Sequence, residues 1–241
     1  VRRSRGAGDF LILIPCFNEE GAVGDVVREV LGVLPGAHVL VADDCSGDAT
    51  RNRAEAAGAK VLSLPYHLGL GGCVQAGYKL AFELGYDYVI RVDGDGQHDP
   101  KDIPHLLSTL RESGCHMVIG SRYLNGGAHT TVTRGVGIQL FRLLLRPILG
   151  KPVQDPTSGF VGVNRAALGL FSKSFPLEYP EIEALVVLQR KRFQFLEVPC
   201  TMRARAAGRS TITASKSLYY VFHVLLGVFI NILKFEGRLR K

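Results

Sequence analysis

Two carboxylates separated by one glycine close an apolar run in RVDGDGQHDP, where Asp93 and Asp95 bracket Gly94. Carboxylate oxygens at that spacing can reach one divalent cation, and hard oxygen ligands suit Mg2+ or Mn2+, above all a cation that also bridges two phosphates. Ordinary surface turns also read D-G-D-G, so the motif needs its surroundings before it carries chemistry. A calcium loop is excluded: it needs a glutamate at its last position and flanking helices, whereas here Pro100 and Ile103 follow a strongly apolar strand.

Other polar residues also end apolar runs. Asn18 and Glu19 follow FLILIP, and Asp43 and Asp44 follow HVLVA, where Asp43 by itself reads as a helix cap or turn residue. Glu181 and Glu183 open a helical stretch, where negative charge favours the positive end of the dipole; Glu181 is also a candidate wall of a site. The run from His67 to Gly72 has neither the dinucleotide fingerprint nor a Walker lysine, so its glycines are read as letting a helix approach a sheet closely.

The elements that must position these residues alternate in type. Strand patterns FLILIP, HVLVADD, KVLSLP, YDYVIRVD and HMVIGS are interleaved with helical patterns from about Glu20, after Asp48, from about Gly71 and after Pro100. This βαβ repetition predicts a mostly parallel sheet covered by helices on both faces, with ligands at the carboxyl ends of the strands. Right-handed crossovers then bring the three polar clusters to one rim. A loop, NGGAHTTVTRG, leads to a basic apolar helix, VGIQLFRLLLRPIL. A second half follows, with a turn, strand and helix start in QDPTSGFVGVNRAAL, a helix near EIEALVVLQRKR and a strand in FQFLEVPCTM. From Lys216 to Phe235 the chain is mostly apolar with a polar or small stripe at helical spacing. Its uncharged run from Ser217 to Leu233 is short against the roughly 20 apolar residues of a spanning helix, which favours an interfacial or packed helix.

Composition sets the outer bounds. With 241 residues, 46% hydrophobic and 21% charged, the chain can bury its own core as one α/β domain. A net charge of +7 attracts nucleic acid, anionic lipid or a phosphorylated small molecule alike, but no basic stripe interleaved with aromatics supports nucleic acid. Five scattered cysteines without a C-x-x-C pair suggest neither a disulfide framework nor a zinc site and point to a reducing compartment. The start, VRRSRGAGDF, lacks the apolar stretch of a secretory signal, so a cytoplasmic location is expected.

Six strings stand in order: IPCFNEE, VADDCSGDAT, VDGDGQHDP, IGSR, DPTSGF and RARAAGRS. From Phe10 to Ser210 the sequence resembles family 2 glycosyltransferases, in particular dolichyl-phosphate mannose synthases and bacterial polyprenyl-phosphate glycosyltransferases. The resemblance implies an α/β fold of the GT-A type, a Rossmann-like, mostly parallel central sheet flanked by helices, with a C-terminal amphipathic or apolar helix. It assigns residues 8–125 to a nucleotide-sugar-binding half, 126–211 to an acceptor-binding half of the same domain and 212–241 to a membrane-associating or packing helix. The implied activity is metal-dependent, inverting transfer of a sugar from a GDP- or UDP-sugar to dolichyl or undecaprenyl phosphate at the cytoplasmic membrane face.

By the same resemblance, Pro15, Phe17, Glu19 and Asp44 line the nucleoside pocket, and Asp93, Gly94 and Asp95 face the donor pyrophosphate. Asp93, Asp95 and Gln97 are the implied ligands of Mg2+ or Mn2+, while His98 stays open between structure and site. Arg122 and Arg134 correspond to residues that hold the acceptor phosphate. Arg205, with Ser210, corresponds to a late element that closes over the donor phosphates; Arg203 and Arg209 are candidates to meet the membrane instead. Asp155 is a base, an orienter of the acceptor or a plain turn residue before Pro156, and the implied catalytic set is Asp95, Asp155 and Arg122. A phosphate acceptor is already anionic near neutral pH and needs no strong base.

Many members of the family continue into paired transmembrane helices, where this sequence offers one marginal segment. Peripheral attachment through basic residues, or docking on a small membrane protein, is therefore expected, and oligomerisation is left open. Two other readings are kept: a family 2 transferase acting on a saccharide hydroxyl, which would require Asp155 as a true base, and an inactive nucleotide-sugar-binding scaffold, against which the intact acidic motif argues.

Overall fold

Along β1 (Phe10–Cys16) every residue from Leu11 onward is buried, because the strand is apolar on both faces and lies inside a sheet covered on both sides. In the computed structural model, which describes residues 9–124, 139, 142–143 and 145–203, β1 stands near the middle of a seven-stranded sheet. The other strands are β2 (His38–Asp43), β3 (Lys60–Ser63), β4 (Tyr88–Arg91), β5 (Met117–Ser121), β6 (Val161–Asn164) and β7 (Phe195–Pro199). Their order is β3-β2-β1-β4-β6-β5-β7, with β6 antiparallel to both neighbours and all other pairs parallel. The mostly parallel sheet expected from the alternating pattern is present.

Side-chain alternation divides the core into two layers. Leu11 and Leu13 pack with Tyr78 and Ala81 of α3 (Gly69–Leu84), with Leu168 and Phe171 of α5 (Arg165–Phe171) and with Ile182 and Leu185 of α6 (Pro180–Arg190). Ile12 and Ile14 face the opposite layer, against Val23 and Val27 of α1 (Val23–Val33), Ala54 of α2 (Thr50–Ala56) and Leu106 and Leu110 of α4 (Ile103–Glu112). Each fully buried aliphatic side chain of this kind contributes about 1.5–3 kcal/mol. Among the described residues no helix is long and apolar enough to cross a membrane.

Helix ends differ from the sequence expectation where polar groups have other partners. α1 begins at Val23 rather than near Glu20, since Glu20 gives its N–H to Asp48 and accepts from Ala49 N–H across the neighbouring loop. A 3-10 turn, Pro100–Asp102, precedes α4, with Asp99 accepting from Lys101 N–H. α3 ends at Gly85, whose left-handed φ of 88° lets its N–H and that of Tyr86 turn back to Phe82 and Ala81 carbonyls. Of the glycines in and near the run from His67 to Gly72, Gly71 abuts the Pro176–Leu177 backbone rather than the sheet, and Gly77 is the one that meets β1, against Leu13.

Candidate active site

The chain leaves β1 toward β2 and β3, then returns to place β4 on the other side of β1, so the carboxyl ends of β1 and β4 flank the topological switch point where open α/β sheets bind ligands. Asp93 and Asp95 lie two and four residues beyond the end of β4. Gly94 is packed so closely that a Cβ would lie 2.5 Å from Cys16 Sγ and 3.3 Å from Pro15 O, which seats the acidic turn on the end of β1. Asp95 is 8% exposed and accepts Gln97 N–H at 3.0 Å, whereas the Asp93 side chain keeps 36% of its surface open. His98 is buried, stacks on Phe160 and accepts Asp93 N–H through Nδ1 at 3.2 Å. Burial pushes its pKa below the usual histidine value, consistent with a neutral ring that braces the turn.

The loops after β1 and β2 are laced together. Asn18 N–H donates to Ser46 Oγ, Gly47 N–H to Asn18 Oδ1 and Glu19 N–H to Thr50 Oγ1, at 2.8–2.9 Å. Asp43 accepts Ser46 N–H, a turn role. Asp44 is buried, with Oδ1 accepting Leu68 N–H at 2.7 Å and Oδ2 lying 2.9 Å from His67 Nδ1. The His67 ring lies 4.1 Å from that of Phe17, which is 44% exposed, so Phe17, His67 and Asp44 form one rim while Pro15 is buried beneath it.

On the far side of β4, the DPTSGF segment joins two charged groups. Asp155 is fully buried and grips Arg122 through both oxygens: Nε donates at 2.6 Å, Nη2 at 2.5 Å, and the Arg122 N–H at 3.1 Å. Thr157 Oγ1 takes a further bond from Nη2, and burial's pull against the Arg122 charge is outweighed by Asp155. The guanidinium fork expected to hold an acceptor phosphate is thus directed at Asp155, and the Asp155 carboxylate has no exposed surface from which to act as a base. Four residues on, a Cβ at Gly159 would overlap both Asp93 carboxylate oxygens, so this glycine lets the segment close against the acidic turn.

Three polar residues that sequence reasoning left out of the site hold this frame. Arg91, 2% exposed, bonds Gly159 O and Glu181; burial opposes its charge, but Glu181 and then Asp93 raise its pKa above the usual value. A cation inside an otherwise apolar strand, just before two carboxylates, was the signal in the sequence. Glu197 of β7 accepts the N–H groups of Gln154 and Asp155, and burial raises its carboxyl pKa. His67 is the third. Glu181 turns to Arg91 rather than resting at its helix end, while Glu183 accepts Tyr179 N–H there. Arg203, a candidate for the membrane, is engaged by Glu29 and Asp99 at 2.5 and 2.7 Å. Arg134, Arg205, Arg209, Ser210 and the helix expected over 212–241 lie outside the described residues.

A mostly parallel α/β sheet with one antiparallel strand beside β4, and an acidic turn at the switch point, is the architecture of the GT-A fold. The chain belongs to glycosyl transferase family 2, which it matches over residues 11–171. It is 29% identical over 216 residues to undecaprenyl-phosphate mannosyltransferase of Micrococcus luteus, covering 84% of this chain and 87% of that one. Polyprenol monophosphomannose synthase of Mycolicibacterium smegmatis is 28% identical over 246 residues, covering 92% and 91%. Glucosyl-3-phosphoglycerate synthase from Mycobacterium tuberculosis, solved in complex with Mn2+, uridine diphosphate and glucosyl-3-phosphoglycerate, is alike in fold, with a TM-score of 0.71, 24% identity and coverage of 92% of this chain and 80% of that one.

Proposed function

We propose that this glycosyltransferase moves a sugar from a nucleoside-diphosphate sugar onto a polyprenyl phosphate at a membrane surface, with inversion at the anomeric carbon. The activities for which the two bacterial relatives are named support the acceptor class. The observation that carries the reading is the Asp93 side chain at the switch point, 36% exposed while packed against Gly159.

The residues fit a divalent cation of the Mg2+ or Mn2+ kind. Asp93, Asp95 and Gln97 offer hard oxygen donors, and no group of three or more His, Cys, Asp or Glu among the described residues forms a closed cage, so the remaining oxygens would come from the donor diphosphate. Bound there, such a cation would act as a Lewis acid that offsets charge developing on the departing nucleoside diphosphate. The Phe17 ring and Glu19 receive the nucleoside above the buried Pro15 and Asp44, and Gly94, packed against Cys16 and Pro15 O, fixes the acidic turn beside the diphosphate. An anionic oxygen of the acceptor phosphate forms the new bond to the anomeric carbon as the bond to the nucleoside diphosphate breaks, with no proton to remove. Arg122 and Asp155 act here as a positioning pair for the acceptor wall, and Arg134 and Arg205 are assigned to acceptor and donor phosphates respectively.

The saccharide-hydroxyl alternative needs a base, and the buried, doubly bonded Asp155 disfavours it. The test is transfer of radiolabelled sugar from GDP- and UDP-sugars with either polyprenyl phosphate or free saccharides as acceptor. Label entering the organic phase only with the lipid phosphate is expected; a labelled saccharide product, resolved chromatographically from the nucleotide sugar and formed in place of the lipid product, would overturn the reading.

A further inference from the structure

One fully buried charge lies directly behind the acidic turn. Arg91 Nε donates to Gly159 O and Nη2 to Glu181 Oε1, both at 2.7 Å, and its side chain is 2% exposed against 14% for Glu181. A Cβ on Gly159 would overlap the Asp93 carboxylate oxygens and also lie 2.9 Å from Arg91 Nη2, so cation and carboxylate meet around the same bare α-carbon. A buried guanidinium in that place competes with a metal ion for Asp93, since the two positive charges would share one carboxylate. Glu181, arriving from the first turn of α6, supplies the balancing negative charge.

We propose that Glu181 is a positioning residue which, by neutralising Arg91, leaves the Asp93 carboxylate available to a divalent cation, so that α6 sets the metal affinity of the donor site. This rests on Asp93 being a metal ligand, as the proposed function has it. The pair also ties β4 to a helix distant in sequence, its two residues standing 90 positions apart, at the point where the donor diphosphate is assigned.

The experiment follows binding of GDP and of UDP by calorimetry as Mn2+ is titrated, with thermal unfolding as the control for fold. Glu181→Gln keeps the side-chain shape but removes the balancing charge. It should raise the Mn2+ concentration for half-maximal nucleotide binding about tenfold, without weakening Mn2+-free nucleotide binding. Glu181→Asp should recover part of the loss. The double variant Arg91→Met with Glu181→Gln removes the competing cation too, and should return the Mn2+ requirement toward that of the wild type; buried ion pairs commonly tolerate such replacement. A folded Glu181→Gln protein with a wild-type Mn2+ requirement would overturn the proposal, as would a double variant needing as much Mn2+ as the single one or more. If Glu181→Gln does not fold, Glu181→Asp decides: an Mn2+ requirement above that of the wild type is expected, and one equal to it would overturn the proposal. A wild-type protein that binds neither nucleotide in an Mn2+-dependent way would remove the donor reading itself, and this inference with it.

Discussion

At the scale of single residues, burial separates the groups that build the site from those that can meet a ligand. Asp155 and Arg122 show the first kind: removing the carboxylate strands a guanidinium whose side chain is only 9% exposed. Asp155→Asn should therefore cost about 3–5 kcal/mol of stability, visible as a lowered midpoint in thermal or denaturant unfolding. A change within about 0.5 kcal/mol would show the pair to be marginal. Cys45 shows the second kind. It is exposed beside Asp44, whereas Cys16 and Cys73 are buried and burial pushes Cys73 up to about 12. Cys200 is half-buried and likewise pushed up to about 12. A thiol reagent at neutral pH should thus label Cys45 first, with the others protected until unfolding, and a bound nucleoside diphosphate should slow that labelling. Peptide mapping of the labelled protein, with and without nucleotide, reads both outcomes. The acidic turn was legible from sequence because two carboxylates close an apolar run; the Arg122–Asp155 pair was not, since its partners are 33 residues apart and neither neighbourhood predicts the other.

At the scale of elements, strands and helices were legible nearly throughout, because apolar periodicity and burial coincide in this chain. The boundaries that moved did so for local reasons: Glu20 is drawn into the β2–α2 loop, and Pro100 starts a 3-10 turn before α4. The glycines of α3 show a subtler limit. Their number announces a close approach, but only three-dimensional packing tells that Gly77 faces Leu13 and Gly71 faces a loop. Gly77→Ala should force Leu13 out of its place in β1 and cost about 1–3 kcal/mol through overpacking, measurable by denaturant unfolding. An alanine tolerated there without loss would mean that α3 can slide away from the sheet. Gly32, where an added Cβ would meet nothing within 4 Å, is the natural control.

At the scale of the whole molecule, the sheet order brings four segments to one rim and fastens them to each other before any ligand arrives. The β1 and β2 loops are joined by backbone-to-side-chain bonds, the acidic turn is seated on β1 through Gly94, and DPTSGF closes on it through Gly159. Such prior ordering lowers the cost of organising these loops when a ligand binds. Alternation of strands and helices foretold the mostly parallel sheet and the gathering of polar residues at the carboxyl ends of its strands; the strand order that creates the switch point came from the structure. The antiparallel insertion of β6 between β4 and β5 was beyond it, because strand periodicity is the same for either direction. The most direct test of the central claim is a crystal structure with Mn2+ and a nucleoside-diphosphate sugar. The account predicts the cation between the Asp93 carboxylate and the diphosphate, with the nucleoside against Phe17 and Asp44; a diphosphate bound away from Asp93, or a carboxylate turned from it, would contradict the account.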